Sequence, residues 1–198
     1  MIEVAPEVVL LRGFAVATAE YAAAVDLVAA AAPFRHLQTP GGRSMSAAMT
    51  NCGALGWHSD ARGYRYERRD PLSGLPWPAM PSIFLELAQR AAAKVGYRDF
   101  LPDACLINRY AGKAKMGAHR DADERDFSQP IVSVTLGAAA TFLWYGPLRS
   151  GPAVKTRLEP TDVLVWGGAA RRGYHAVGQA EGAAAGAVRI NLTFRKAG

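Results

Sequence analysis

The sequence predicts an α+β chain in which a helical, loop-rich first half wraps against an all-β second half of sandwich or jelly-roll type. Two observations carry this. Two segments before Asp103 place apolar residues at helical spacing between recognisable stop signals. After Asp103 the pattern changes to short β-rich runs separated by Gly- and Pro-containing breaks, as a sandwich or jelly roll requires. With 198 residues the chain is long enough for one sizeable domain, 1–198, and short for two.

The first helix is Ala-rich, with Thr18 as a plausible N-cap and Pro33 stopping it after Ala32. The second runs from Pro81, a good first helical residue, to Gly96, a good residue just past a helix end. Its Ile83, Phe84, Leu87, Ala88 and Ala91 follow helical spacing. Thr39–Trp77 lies between them. It is rich in Gly, Ser and Arg, has weak periodicity and reads as a long irregular segment. Trp57, Tyr64, Tyr66 and Trp77 argue against disorder there. The expected strands are Ala104–Tyr110, Ile131–Leu136, Ala140–Tyr145, Val163–Trp166, Tyr174–Val177 and Val188–Arg195. Trp166, inside an apolar strand, reads as core.

Lys+Arg outnumber Asp+Glu by 23 to 17, a net charge of +6, which favours an anionic partner such as nucleic acid. Cys52 and Cys105 are too few and too far apart for a disulfide framework or a zinc site, and buried free thiols are expected. The opening Met1-Ile2-Glu3 has no basic region of a signal peptide, and the apolar stretch Ala22–Pro33 is too short to span a bilayer. A cytoplasmic protein with no membrane partner is expected.

The chemistry concentrates in two places. His119 and Asp121 are two residues apart, so on extended backbone both side chains reach the same side. His175 can come from another strand. Two imidazoles and a carboxylate can occupy one face of iron(II) and leave the rest of the octahedron open for oxygen chemistry. A lone His-x-Asp also arises on ordinary surfaces, and a lone histidine in ordinary cores. In the last strand, Arg189, Asn191, Thr193 and Arg195 alternate with Ile190, Leu192 and Phe194. One wet face would explain this. Two arginines with amide and hydroxyl groups between them also make a carboxylate clamp. Asn108 and Tyr110, on one face of an earlier strand, can add hydrogen bonds.

These residues together resemble the AlkB family of iron(II)/2-oxoglutarate-dependent oxidative demethylases. The resemblance is collinear from about Val8 to Gly198. It includes Met49-Thr50-Asn51-Cys52-Gly53, Pro76-Trp77-Pro78, Asn108-Arg109-Tyr110, His119-x-Asp121-x-Asp123-Glu124, Val165-Trp166-Gly167-Gly168, Tyr174-His175 and the Arg189-to-Arg195 strand. It implies a double-stranded β-helix, a jelly-roll variant over 103–198, with a nucleotide-recognition lid at about 39–77. It implies His119, Asp121 and His175 as iron(II) ligands, and Asn108, Tyr110, Arg189, Asn191 and Arg195 as 2-oxoglutarate contacts. Arg195 is expected on the distal carboxylate and Arg189 nearer the metal. On the substrate side it implies Trp57, Tyr64, Asp123 and Arg149, with Met49 and Ser46 in the same recognition segment. The implied activity is DNA repair: oxidative demethylation of 1-methyladenine and 3-methylcytosine, with dioxygen and 2-oxoglutarate consumed and formaldehyde, succinate and carbon dioxide released. DNA is the implied partner, single strands preferred, with RNA second, and the enzyme is expected to be a monomer. Arg35, Arg43, Arg62, Lys113 and Lys115 are candidate phosphate contacts. The chain departs from the family at Arg120, where a neutral polar residue is more typical, and over Arg149–Thr161.

Overall fold

A computed structural model describes residues 1–198. Two β-sheets face each other, and two helices cover the outer face of the larger one. Its seven strands run in the order β1(Ile2–Ala5), β2(Val8–Leu11), β11(Val163–Trp166), β8(Ile131–Gly137), β13(Arg189–Arg195), β6(Ala104–Tyr110), β3(Ala48–Gly53), and every pairing is antiparallel. The smaller sheet orders β10(Val154–Leu158), β9(Ala140–Gly146), β12(Tyr174–Ala180) and β7(Met116–His119). A separate hairpin pairs β4(Gly56–Asp60) with β5(Gly63–Glu67). This is the jelly-roll arrangement, with α1(Thr18–Ala31) and α2(Ser82–Lys94) flanking it.

Period-two alternation divides the large sheet's side chains between two cores. Ile107, Val132, Val134, Val163, Leu192 and Phe194 face the helices, where they meet Val25, Val28, Phe84 and Leu87. Leu10, Met49, Leu106, Ile131, Leu164 and Trp166 face the small sheet and pack on Phe142, Trp144 and Val177. Cys52 and Cys105 are buried free thiols on paired strands. No helix is long and apolar enough to cross a membrane.

Each helix starts one position away from the expected residue, whereas Gly96 follows the C-cap of α2 as expected. Ala17, not Thr18, is the N-cap of α1, and no side chain bonds there. Pro81, with ψ at 138°, is the N-cap of α2 rather than its first turn. The larger correction concerns Thr39–Trp77. It contains three strands, and the first of them, β3, pairs with β6 over its whole length as an edge of the large sheet. β1 and β2 also join that sheet from outside 103–198. β7 and β10 complete the small sheet. All of these are four to six residues long, too short for a periodicity to stand out.

The hairpin sits close on its support. Gly56 lies against the Trp77 ring, where a Cβ would come within 2.3 Å of it. Trp77 Nε1–H donates to the Glu67 carbonyl at 2.9 Å, closing the other hairpin strand onto the same indole.

Candidate metal and co-substrate site

His119 ends β7 and His175 lies opposite it on β12, so the sheet register alone brings the two imidazoles together. Their ring centroids are 4.4 Å apart. Asp121, two residues beyond His119, turns its carboxylate back toward them. The ligand atoms of the three residues all lie within 4.8 Å of one another. Both histidines have a fixed tautomer. His119 Nδ1–H donates to the Gly117 carbonyl at 2.9 Å and His175 Nδ1–H to the Gly173 carbonyl at 3.1 Å. Both Nε2 lone pairs are thereby left for a metal.

Electrostatics favour the same state. His175 is buried among Phe142, Trp144 and Trp166. Burial, reinforced by His119, pushes its pKa down to about 4, so the imidazole is neutral at pH 7. Burial alone would raise the Asp121 carboxyl. Arg195 and the two histidines outweigh it and hold Asp121 well below the usual carboxylate range. Two imidazole Nε2 atoms and one ionised carboxylate suit a hard-to-borderline divalent cation such as iron(II).

The polar face of β13 is not a wet face. Arg189, Asn191, Thr193 and Arg195 are all buried and line a cavity of about 320 Å³ with the His-Asp-His group. The two arginines are reversed from the expected order. Arg195 donates through Nη2 and Nε to Asp121 Oδ2 at 2.9 and 3.2 Å, so it sits at the metal end. Arg189 pairs across the strand with Tyr110, and its guanidinium carbon lies 5.2 Å from that ring centroid. One of its nitrogens, Nη2, donates to Thr135 Oγ1 at 2.9 Å, while Nε and Nη1 are buried with no partner. Burial lowers its pKa. The side-chain oxygen of Asn108 is likewise buried and unpartnered. A buried guanidinium with free donors is costly until an anion reaches it, so this end of the cavity fits a carboxylate. Asn191 is already engaged: its Nδ2 donates to Ser133 Oγ and the Val134 carbonyl, and its Oδ1 accepts from Thr193.

Of the residues expected on the substrate side, Met49, Trp57, Tyr64, Asp123 and Arg149 line the same cavity. Trp57 and Tyr64, paired on the hairpin, stack at 5.6 Å, and Trp57 Nε1–H donates to Asp123 Oδ2 at 2.8 Å. Ser46 is not part of the lining. Its hydroxyl donates to the Lys115 carbonyl and accepts the Lys115 N–H, which ties the preceding loop to β7. Arg120 lines the mouth, its guanidinium carbon 5.3 Å from the Tyr174 ring centroid. Trp166 is buried as expected of core, yet it also lines the cavity, and its indole N–H has no partner. Arg35 and Arg62 are already paired, with Asp70 and Asp60 respectively.

Sequence reasoning missed Arg171, Glu124 and Tyr66, which lie behind the cavity lining and reach Asp121 and Arg195. Glu124 follows Asp123 in an acidic run, but nothing in its neighbours marks it as buried. Arg171 sits in an unremarkable Gly-Ala-Ala-Arg-Arg turn.

The model of the 2OG-Fe(II) oxygenase superfamily matches residues 7–195. The chain is 49% identical over 197 residues to the alpha-ketoglutarate-dependent dioxygenase AlkB of Salmonella typhimurium, covering 98% of this chain and 91% of that one. It is 50% identical over 194 residues to the Escherichia coli AlkB dioxygenase, covering 96% and 90%. The chain belongs to the AlkB family. The solved structure of OsALKBH1 superposes with a TM-score of 0.76 at 27% identity, over 98% of this chain and 99% of that one. As an AlkB-family member the protein is an Fe(II)- and 2-oxoglutarate-dependent dioxygenase. The two imidazole Nε2 atoms, the ionised Asp121 and the unpartnered Arg189 donors fit those two groups.

Proposed function

We propose that this enzyme repairs DNA by oxidative demethylation of N-alkylated bases, with 1-methyladenine and 3-methylcytosine as substrates. The observation that carries the reading is the sharing of one cavity. The His-Asp-His group lies between a buried arginine with free donors and an aromatic hairpin with an adjacent carboxylate.

His119 Nε2, Asp121 and His175 Nε2 would hold the iron(II), which when bound would activate dioxygen for hydroxylation of an N-methyl carbon, with 2-oxoglutarate oxidised to succinate and carbon dioxide in the same turnover. Arg189 takes the distal carboxylate of 2-oxoglutarate, with Tyr110 and Asn108 beside it. Arg195 keeps Asp121 ionised and oriented at the metal end, and Asn191 holds the strand face in register. The β4–β5 hairpin, the part of segment 39–77 that stands apart from the large sheet, is the lid that receives the base. The base must leave its stack to enter, which costs a few kcal/mol and is least costly in single strands. Stacking on Trp57 returns ~1–3 kcal/mol. Both lesions are cationic, so the Trp57 face and the Asp123 carboxylate attract them more than an unmodified base. Tyr64 buttresses Trp57. Met49 closes the cavity from β3, and Arg149 reaches the base from the mouth. Arg43, Lys113 and Lys115 carry the phosphates. The hydroxymethylated base then releases formaldehyde. Single-stranded DNA is the preferred partner and RNA the second. The enzyme acts as a cytoplasmic monomer.

The test is formaldehyde release from oligonucleotides carrying either lesion, with methylated RNA, unmethylated DNA and a methylated peptide as controls. Release from both DNA lesions is expected. No release from either, alongside turnover of the peptide, would overturn the substrate assignment and leave the oxygenase chemistry standing.

A further inference from the structure

Two adjacent acidic residues follow the His-x-Asp pair, and a different hairpin aromatic holds each one. Trp57 Nε1–H donates to Asp123, which is exposed. The Tyr66 hydroxyl donates to Glu124 Oε1 at 2.7 Å, and Glu124 has a different setting. Its carboxylate is 2% exposed and lies among three other buried charges. Glu124 Oε2 is 3.0 Å from Arg171 Nη2, and Oε1 is 3.3 Å from Arg195 Nε. Arg195 in turn donates to Asp121 Oδ2. Arg171 Nη1–H donates to the Asp121 backbone carbonyl at 3.1 Å, and Arg171 Nε–H to the Gln129 carbonyl at 3.1 Å.

Two guanidiniums and two carboxylates balance one another without help from Tyr66. The hairpin enters the network through one neutral hydroxyl, on the same Glu124 Oε1 that faces Arg195. A charge-assisted, buried network transmits a change of geometry better than isolated exposed bonds do. Asp121 is held by it on both sides, at the carboxylate through Arg195 and at the backbone through Arg171.

We propose that Tyr66 and Glu124 are positioning residues that tie the base-receiving hairpin to the Asp121 carboxylate, so that seating a base against Trp57 sets the metal ligand and couples 2-oxoglutarate consumption to demethylation. The inference rests on the reading that Asp121 holds the metal and the hairpin holds the base. A purely structural role would leave the metal's surroundings indifferent to the hairpin.

Tyr66→Phe removes the hydroxyl and leaves all four charges paired. Two readouts are taken at saturating 1-methyladenine oligonucleotide. One is the visible absorption of the Co(II)-substituted protein with 2-oxoglutarate, which reports the metal's ligand field. The other is the ratio of succinate to formaldehyde formed by the Fe(II) enzyme. In the wild type the oligonucleotide is expected to change the Co(II) spectrum, and the ratio is expected near unity. In Tyr66→Phe most of that spectral change is lost, and the ratio rises about threefold or more. Glu124→Asp keeps the charge but retracts the carboxylate from Tyr66, and it should move both readouts the same way if Tyr66→Phe fails to fold. Either readout at the wild-type level in a folded variant overturns the coupling. A wild type that binds Co(II) but releases no formaldehyde from the oligonucleotide refutes the functional reading, and the inference falls with it.

Discussion

Asp121 and Arg189 differ in what they lack. Asp121 has its charge matched in place by Arg195, whereas Arg189 keeps two buried donors without a partner. Loss of each arginine should therefore be felt in a different quantity. Arg189→Ala should raise the 2-oxoglutarate concentration needed for half-maximal turnover about 100-fold, the scale of a lost charge-assisted anion contact. It should cost little stability, because the removed charge was uncompensated. Arg195→Ala should instead lower stability by ~3–5 kcal/mol, since it strands the buried Asp121 carboxylate and leaves Glu124 with Arg171 as its one guanidinium partner. Denaturant titration beside 2-oxoglutarate kinetics separates the two, and equal effects on both quantities would contradict this arrangement. His119→Ala and His175→Ala should abolish turnover in metal-reconstituted protein while circular dichroism stays that of the wild type. The identity of these residues was legible in the sequence, because a His-x-Asp, a later His and an Arg-x-Asn-x-Thr-x-Arg strand rarely coincide. The order of the arginines was not. Both lie on the same face of β13, roughly 20 Å apart at about 3.3 Å per residue. Which end meets the metal is decided by the register of β7 against β12, a pairing far away in the chain.

The hairpin is the element on which substrate recognition is proposed to rest. Its base is fixed by Gly56 and the Glu67 carbonyl on Trp77, by the Trp57 backbone on the Asn51 amide and by Ser59 on the Gln38 carbonyl, while Trp57 to Asp123 and Tyr66 to Glu124 join it to the site. Trp57→Ala and Asp123→Ala should each reduce demethylation of 1-methyladenine DNA by tenfold or more, the scale of ~1–3 kcal/mol of stacking. The Kd for 2-oxoglutarate should stay within about twofold. Calorimetric titration of 2-oxoglutarate into the variants checks this, and a parallel loss of co-substrate affinity would place Trp57 and Asp123 in general support of the fold. The hairpin's aromatic content was visible beforehand, but its strands were not. Residues 56–60 and 63–67 mix Trp, His and Tyr with Ser, Asp and Arg, so no apolar face repeats. Its pairing is set by the turn at Ala61-Arg62 and the positive φ of Gly63, and its place by the Trp77 indole, the Asn51 amide and the Gln38 carbonyl, all distant from the turn. The longer strands β8 and β13 were legible because one of their faces is apolar throughout and packs on the helices, and β6 follows them except for exposed Arg109 at its end.

At the scale of the whole molecule, alternation revealed two-faced strands but could not say whether the polar face meets water or an interior cavity. Only the facing of the two sheets decides that, and here it buries four charged or polar β13 side chains. The lid's anchorage also belongs to this scale. Asp70 is buried, which alone would raise its pKa, but bonds from Arg35, the Leu72 N–H and Ser73 lower it below the usual value. A depressed carboxylate contributes stability that is present above its unfolded pKa of ~3.9 and is lost as pH falls through its folded value. The Tm gap between wild type and Asp70→Asn should thus be constant above about pH 5 and shrink below about pH 4. A gap with no pH dependence down to the acid limit of folding would mean that Asp70 acts through shape alone. The aromatic surround of His175 has a consequence of an optical kind. Trp144 and Trp166 lie with their ring centroids 6.3 and 5.1 Å from that imidazole, so two of the chain's four tryptophans are neighbours of one metal ligand. Intrinsic emission should therefore fall in a saturable, one-site curve as an open-shell divalent ion is added to the apoprotein. In His175→Ala the curve should weaken by tenfold or more, the scale of a lost coordinating side chain. The folded chain thus carries its own fluorescent gauge of how much of it is loaded, with no dye or label attached.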